Sequence, residues 1–326
     1  MLNRFEKQLF GLMTGAFASR ALAIAVKRDL FTWLSSSGGQ YEGIVAYLGF
    51  HERASRVFLD VLCASGLLRC EDGHFRNTEL SEELLVRGRI ADQRCTVALF
   101  DRLHLGCAAL EQTLETGNPV SHEYGYFFGA NTGAYPDDMD GTGFVPALLL
   151  GEFWDFSQAQ HVLDVGGCLG RTAHVLAARY PNLCVTVLDL PEICARGNAL
   201  SLEHPVSANR VKFHPGNFFD EEFPRADTVC FVRVLHDWPD EEALRLLQRA
   251  HAALQPGGRI LILETLRASS GKRSPTAFVD LLMLLISPAG ALRTRTTMGD
   301  LLRNAGFRRI RTKSTAYLYS LISAEK

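Results

Sequence analysis

The feature that most constrains this chain is a change of texture after Ser157, where short β-branched runs begin to alternate with helical ones. Residues 161–165, 184–189, 211–214, 228–233 and 259–264 each read as a buried strand. Helical spacing fills the gaps, for instance over 171–179 and 241–254, the second stopped by Pro256-Gly257-Gly258. Strands separated by helices cannot be joined by tight hairpins. They predict an α/β domain with a parallel, doubly wound sheet whose ligands bind at the carboxyl ends of the strands.

Upstream the pattern is helical to about residue 110. Within it, a helix over 51–62 is followed by residues 66–76, which read as a hairpin turning at Asp72-Gly73, so the outline is that of a winged helix. From residue 41 to 94 there are seven Arg and no Lys against nine Asp plus Glu. That balance lacks the positive footprint of a DNA reader and favours dimerisation or a substrate lid. The apolar stretch 16–26 is interrupted by Arg20 and ended by Lys27 and Arg28, and reads as an amphipathic or buried helix. No uncharged run reaches the roughly 18 residues that span a bilayer, so no membrane partner is expected. Residues 113–144, rich in Gly, Asn, Asp and aromatics and including 124–129 and 137–143, read as a connector or pocket lining. The 326 residues then divide as a helical domain 1–110, a connector 111–156 and a catalytic domain 157–326. A net charge of -2 excludes broad polyanion binding, and eight scattered cysteines without a CxxC pair suit reduced thiols in a cytoplasmic protein.

The first strand of the α/β part runs through Asp164-Val165-Gly166-Gly167-Cys168-Leu169-Gly170 directly into a helix. A dinucleotide fingerprint needs the spacing G-x-G-x-x-G, and counted from Gly166 that spacing meets Cys168 and Arg171. What remains is a carboxylate two residues before the first glycine. With no pyrophosphate to repel, Asp164 can face a cationic ligand such as the amino-acid end of a sulfonium cofactor. The next strand ends in Asp189, where a carboxylate can accept two hydrogen bonds from a ribose diol. Each feature alone has a plainer reading, the glycines capping a tight turn and Asp189 capping the helix near Pro191. In this order they favour one cofactor, S-adenosylmethionine.

Four segments, 163–167, 187–191, Val234-Leu235-His236-Asp237-Trp238 and 254–259, together resemble the small-molecule S-adenosylmethionine-dependent O-methyltransferases, which include the plant caffeic acid and animal acetylserotonin enzymes. The resemblance runs over nearly the whole chain; His-Asp-Trp before an acidic helix, with the Pro-Gly-Gly turn, is its specific part. It implies a Rossmann-like class I catalytic domain behind a winged-helix dimerisation domain. It also implies a homodimer that exchanges N-terminal helices, and a small-molecule acceptor from secondary metabolism. By the same resemblance Asp189 holds the ribose, Gly166 and Gly167 lie against the cofactor, and Leu190, Asn217, Phe218, Arg233 and Trp238 complete its site. His236 is then the catalytic base with Glu264 behind it and Asp237 beside it, while Met139, Trp154, Asp280 and Met283 lie near the substrate.

The chemistry fits those assignments. Methyl transfer is an in-line displacement, so alignment does most of the work. A phenol of pKa about 10 must also lose its proton, and an imidazole of pKa about 6.5 can take it. His236 and Asp237 alone are too few ligands for a metal-assisted variant. Three residues depart from the family pattern: Asn217 for an aspartate, Cys168 for a glycine, and Leu292 where a second acid is expected after the next helix. Leu292 makes the pocket more apolar and leaves the base less supported, which keeps methylation of carbon or nitrogen open as a rival; cofactor binding without transfer is a separate alternative.

Overall fold

The computed structural model describes residues 2–89, 91–119, 135–268, 274–287, 289–315 and 318–326, so the aromatic run at 124–129 lies outside the described residues. The chain forms two compact units, 1–105 and 106–326.

The first unit comprises α1 (Leu2–Lys27), α2 (Leu30–Ser36), α3 (Tyr41–Leu48), α4 (Glu52–Ala64), strands β1 (Leu68–Glu71) and β2 (His74–Asn77), α5 (Glu79–Leu84) and α6 (Arg94–Gly106). The hairpin turns where expected: Glu71 faces His74 across it, and Asp72 and Gly73 have φ of 49° and 77°, the left-handed pair that a two-residue turn requires. Helix α4 buries Leu59 and Leu62 in a core with Leu30, Phe31, Ile44 and Phe75. The stretch 16–26 lies within helix α1 and packs on this core through Ala21 and Ala25, with Leu22 and Val26 against it. The second half of α1 buries Ala21, Ala23 and Ala25, but Phe5, Leu9, Phe10, Leu12, Met13 and Phe17 are exposed. By length and composition Phe5–Lys27 is apolar enough to cross a membrane. A contiguous exposed apolar face of this kind equally marks a subunit interface.

The second unit begins with α7 (Leu110–Thr116) and α8 (Tyr135–Phe153). Residues 137–143, read above as connector, are the first turns of α8, where Asp137 and Asp138 suit the positive end of the helix. The α/β part follows as β3 (His161–Val165), α9 (Arg171–Arg179), β4 (Cys184–Asp189), α10 (Pro191–Leu200), β5 (Val211–Pro215), β6 (Ala226–Val232), α11 (Asp240–Ala253), β7 (Leu254–Thr265), α12 (Thr276–Ile286), α13 (Arg295–Asn304), β8 (Arg308–Ser314) and β9 (Tyr319–Glu325). The seven strands lie in the order β5-β4-β3-β6-β7-β9-β8. The first five are parallel, and β9 pairs antiparallel with both β7 and β8. Apolar residues of β3, β6 and β7 pack against α11 and α13 on one face and against α9 on the other. Such two-sided burial is why these strands read as continuous apolar runs.

One packing contact fixes the helices around the glycine turn. The Phe213 ring lies where side chains on Gly170 and Gly197 would project, so a Cβ would approach it to 2.8 Å at Gly170 and 2.3 Å at Gly197. Pinned from both sides, the ring cannot step away. Alanine in place of a helical glycine ordinarily gains about 0.5–1 kcal/mol. At Gly197 the sign should reverse, with Gly197→Ala losing about 1–3 kcal/mol through overpacking. Urea titration should show a lower midpoint at unchanged slope; a higher midpoint would contradict the contact.

Candidate active site

Strand order turns at β3: β4 and β5 continue to one side, β6 and β7 to the other, which opens a crevice at the carboxyl ends of β3 and β6. The glycine turn occupies it. Gly166 has φ of 69°, and a Cβ there would come 3.0 Å from Val234 Cγ2, while one on Gly167 would lie 2.5 Å from Asp164 Oδ2. Asp164 is 1% exposed. Its Oδ2 has no hydrogen-bond partner among the described residues. Burial, with the Asp189 carboxylate adding to it, pushes the Asp164 pKa up to about 7. An orphaned carboxyl so poised is completed by a positively charged ligand group.

Asp189 is prepared differently. Its Oδ2 accepts from Cys168 N and its Oδ1 from Leu190 N, both at 2.8 Å. Each oxygen keeps a further lone pair, so the carboxylate can still accept two hydrogen bonds from a diol. The plainer capping role is not the one it plays, since Leu190 is the cap residue of α10 and no side chain caps that helix. Beside the turn, Trp238 stands edge-on to Phe218 and Phe219 at 5.7 and 4.7 Å, an aromatic wall suited to a flat base. Phe218 itself lies 3.7 Å from the Cβ position of Gly166. An orphaned acid, a two-oxygen acceptor and an aromatic wall fit S-adenosylmethionine, with its cationic end, ribose and adenine.

Three cofactor-site residues hold partners of their own. Asn217 accepts from Phe219 N at 3.0 Å and donates to Asp220 at 2.7 Å, so its amide braces its own turn. Cys168, at φ of 53°, turns its Sγ toward the carbonyl of Pro136 on α8. Arg233, also left-handed at φ of 58°, donates to Met139 O and Thr142 Oγ1 at 3.2 and 3.1 Å, which ties it to α8.

The second cluster follows β6, where Leu235–Asp237 forms one 3-10 turn. His236 Nδ1 donates to Glu264 Oε2, and Glu264 Oε1 accepts from Val234 N and Leu235 N at 3.0 and 2.9 Å. Glu264 is 1% exposed, so it is no solvated strand end. His236 Nε2 lies 3.5 Å from Asp237 Oδ1. Burial alone would lower the His236 pKa, but the Glu264 and Asp237 carboxylates outweigh it and raise the group to about 9. Burial pushes Asp237 up to about 6, against the pull of His236.

Asp280 and Met283 lie by the turn that follows α12. Asp280 accepts from Leu292 N at 3.1 Å and pairs with Arg267 at 3.5 Å. Met283 Cε lies 2.7 Å from the Cβ position of Gly290. Ala291 N donates to His236 O at 2.9 Å, tying this turn to the histidine, and Leu292 is buried within it. Trp154 is not brought to this cluster: the Arg259 guanidinium lies over its ring at 5.3 Å, five residues before Glu264 along β7. Sequence reasoning missed the ion pairs Arg171–Asp140 and Arg196–Asp137, which fasten α8 to α9 and α10. The signal available was the acid cluster 137–140, but nothing in spacing names partners 31 and 59 residues away.

Comparison with known proteins agrees with this geometry. An O-methyltransferase domain model matches residues 141–308, and an O-methyltransferase dimerisation domain model matches 10–87. Acetylserotonin O-methyltransferase of Rattus norvegicus is 29% identical over 338 residues, covering 100% of this chain and 78% of that protein. The tetracenomycin polyketide synthesis 8-O-methyl transferase TcmO of Streptomyces glaucescens is 31% identical over 314 residues, with 92% and 91% covered. The crystal structure of human N-acetylserotonin methyltransferase in complex with S-adenosylmethionine superposes with a TM-score of 0.87 at 26% identity, covering 98% of this chain and 97% of that one. The chain therefore belongs to the S-adenosylmethionine-dependent O-methyltransferase family, with a helical dimerisation domain ahead of a class I catalytic domain.

Two binding measurements test the crevice. Asp189→Ala should weaken S-adenosylmethionine binding about 10–100-fold, the size of losing hydrogen bonds to a charged group. Because Asp164 titrates near 7 when no ligand faces it, a cationic ligand should draw off its proton. Calorimetry in buffers of different ionisation enthalpy should show proton release near pH 7, affinity rising with pH, and loss of both in Asp164→Asn. Unchanged proton release in that variant would assign the proton to another group.

Proposed function

We propose that the enzyme methylates an aromatic hydroxyl of a small specialised metabolite, with His236 as general base. The observation that carries this reading is the imidazole held on the buried Glu264 at the mouth of the crevice. Relatives named for O-methylation of acetylserotonin and of a tetracenomycin polyketide support an oxygen acceptor. When bound, S-adenosylmethionine supplies an electrophilic methyl group on positively charged sulfur. The chain's own part is to bind that cofactor through Asp164, Asp189, Leu190 and the Phe218–Trp238 wall, and to take the acceptor's proton at His236 Nε2. Asp280 and Met283 border the acceptor, with Met139 nearby on α8.

A base of pKa about 9 is matched to a phenol of about 10, so proton transfer between them is nearly level. Its cost is population: about 1% of the imidazole is neutral at pH 7. Glu264, by filling Nδ1, keeps the exchangeable proton on Nε2. The carbon- and nitrogen-acceptor rival drew on Leu292 leaving the base unsupported. Glu264 supplies that support, which favours oxygen. We also propose that the chain is a homodimer in which a second copy covers the exposed face of α1, in keeping with the dimerisation match over 10–87.

His236→Ala should lower kcat about 10²–10⁴-fold while cofactor affinity stays near wild type. For the native enzyme, log kcat/KM for the acceptor should rise with unit slope from pH 6 and level off near 9. Glu264→Gln, lacking the carboxylate that raises the imidazole pKa, should move that limb to lower pH and reduce the plateau. A flat native profile, or a product bearing its new methyl on carbon or nitrogen, would overturn the assignment.

A further inference from the structure

We infer that Arg293 is a positioning residue for the reaction, holding the turn that carries His236 so that the imidazole stays seated on Glu264. The inference rests on the reading of His236 as base. Arg293 is 7% exposed. Its Nη1 donates to Leu235 O at 2.5 Å, its Nη2 to Trp238 O at 2.6 Å and its Nε to Asp240 Oδ1 at 2.7 Å. Two of these acceptors bracket His236 in the chain. The turn needs such help, because its own closing bonds are long: Asp237 N to Val234 O at 3.2 Å and Trp238 N to Leu235 O at 3.3 Å.

The residue type matters as much as its place. Only a planar fork can satisfy two diverging carbonyls and a carboxylate at once, whereas a lysine offers a point charge. Burying a guanidinium is expensive, and its one carboxylate partner, Asp240, is 62% exposed at the side chain, so electrostatic stabilisation is a poor account of its presence. The same segment reaches the turn a second time, through Ala291 N to His236 O. Leu292 lies between these two grips. The bracing that an acid at 292 would give the imidazole directly is thus given by residues 291 and 293 to the backbone on either side of it. The charged groups facing the imidazole are Glu264, Asp237 and Arg233.

Arg293→Lys, assayed beside wild type for melting temperature, cofactor affinity, kcat and pH profile, tests the inference. We expect kcat to fall at least tenfold with cofactor affinity retained. The rising pH limb should shift down toward an ordinary histidine as the Glu264 contact loosens. In a His236→Ala background the same substitution should cost no further rate, because the group it positions is gone. Should Arg293→Lys unfold, Arg293→Ala assayed with added guanidinium serves instead, and guanidinium but not ammonium should restore rate. Wild-type kcat and pH limb in Arg293→Lys, an undiminished loss in the His236→Ala background, or absence of guanidinium rescue would overturn it. If His236→Ala alone keeps full activity, the base reading fails and this inference with it. If His236→Ala is inactive and Arg293→Lys is indifferent, only this inference fails.

Discussion

The catalytic half of the molecule depends on one buried carboxylate. A charge without water costs several kcal/mol unless its lone pairs are filled, and Glu264 is filled by Val234 N, Leu235 N and His236 Nδ1. The two backbone bonds join the end of β7 to the turn beyond β6, past the last pair of their parallel ladder, Val232 with Leu263. The third bond carries the charge to the imidazole. The same side chain therefore ties the two strand ends together at the crevice and sets the charge beside His236.

The crevice also has a consistent electrostatic arrangement. Arg171, Arg196 and Arg233 all turn toward α8, onto Asp140, Asp137 and the Met139–Thr142 turn. With those cations engaged there, Asp164 and Asp189 face the crevice with backbone N–H groups or nothing at all to offset them. A neutral or anionic ligand would gain little from such a surface. A cationic one gains more, and helix α8 contributes by neutralising Arg171 and Arg196 on Asp140 and Asp137.

Those relations also explain how much of the protein was legible in its sequence. Strands buried on both faces must be continuously apolar, so 161–165 and 184–189 were readable to the residue, and the hairpin at Asp72-Gly73 followed from the only residues that tolerate its dihedrals. Asp164 and Asp189 lie in the last residues of β3 and β4, and His236 four residues past β6, so chain position alone brings all three to the carboxyl edge of the sheet. Trp154, just past the end of α8, has no strand end to fix its place, and it packs under Arg259. Arg293 was invisible because its acceptors are mostly backbone carbonyls, which every residue possesses, and they lie 55 and 58 residues away.

The absence of an acid at 292 has a physical logic once the base is considered together with its surroundings. Each carboxylate near an imidazole raises its pKa, and Glu264 with Asp237 already raises His236 to about 9 despite burial. A further unit would remove tenfold from the neutral fraction at neutral pH, whereas the gain in proton-accepting power is only fractional, since a proton partly transferred in the transition state returns only part of the added basicity. A second acid would orient the ring at that expense. Leu292 avoids the added negative charge, and the segment that carries it holds the backbone on either side of the ring instead, through Ala291 N and the guanidinium of Arg293. If His236 is the base proposed above, the apolar residue is compatible with oxygen methylation and keeps a strongly braced histidine from becoming too basic to act.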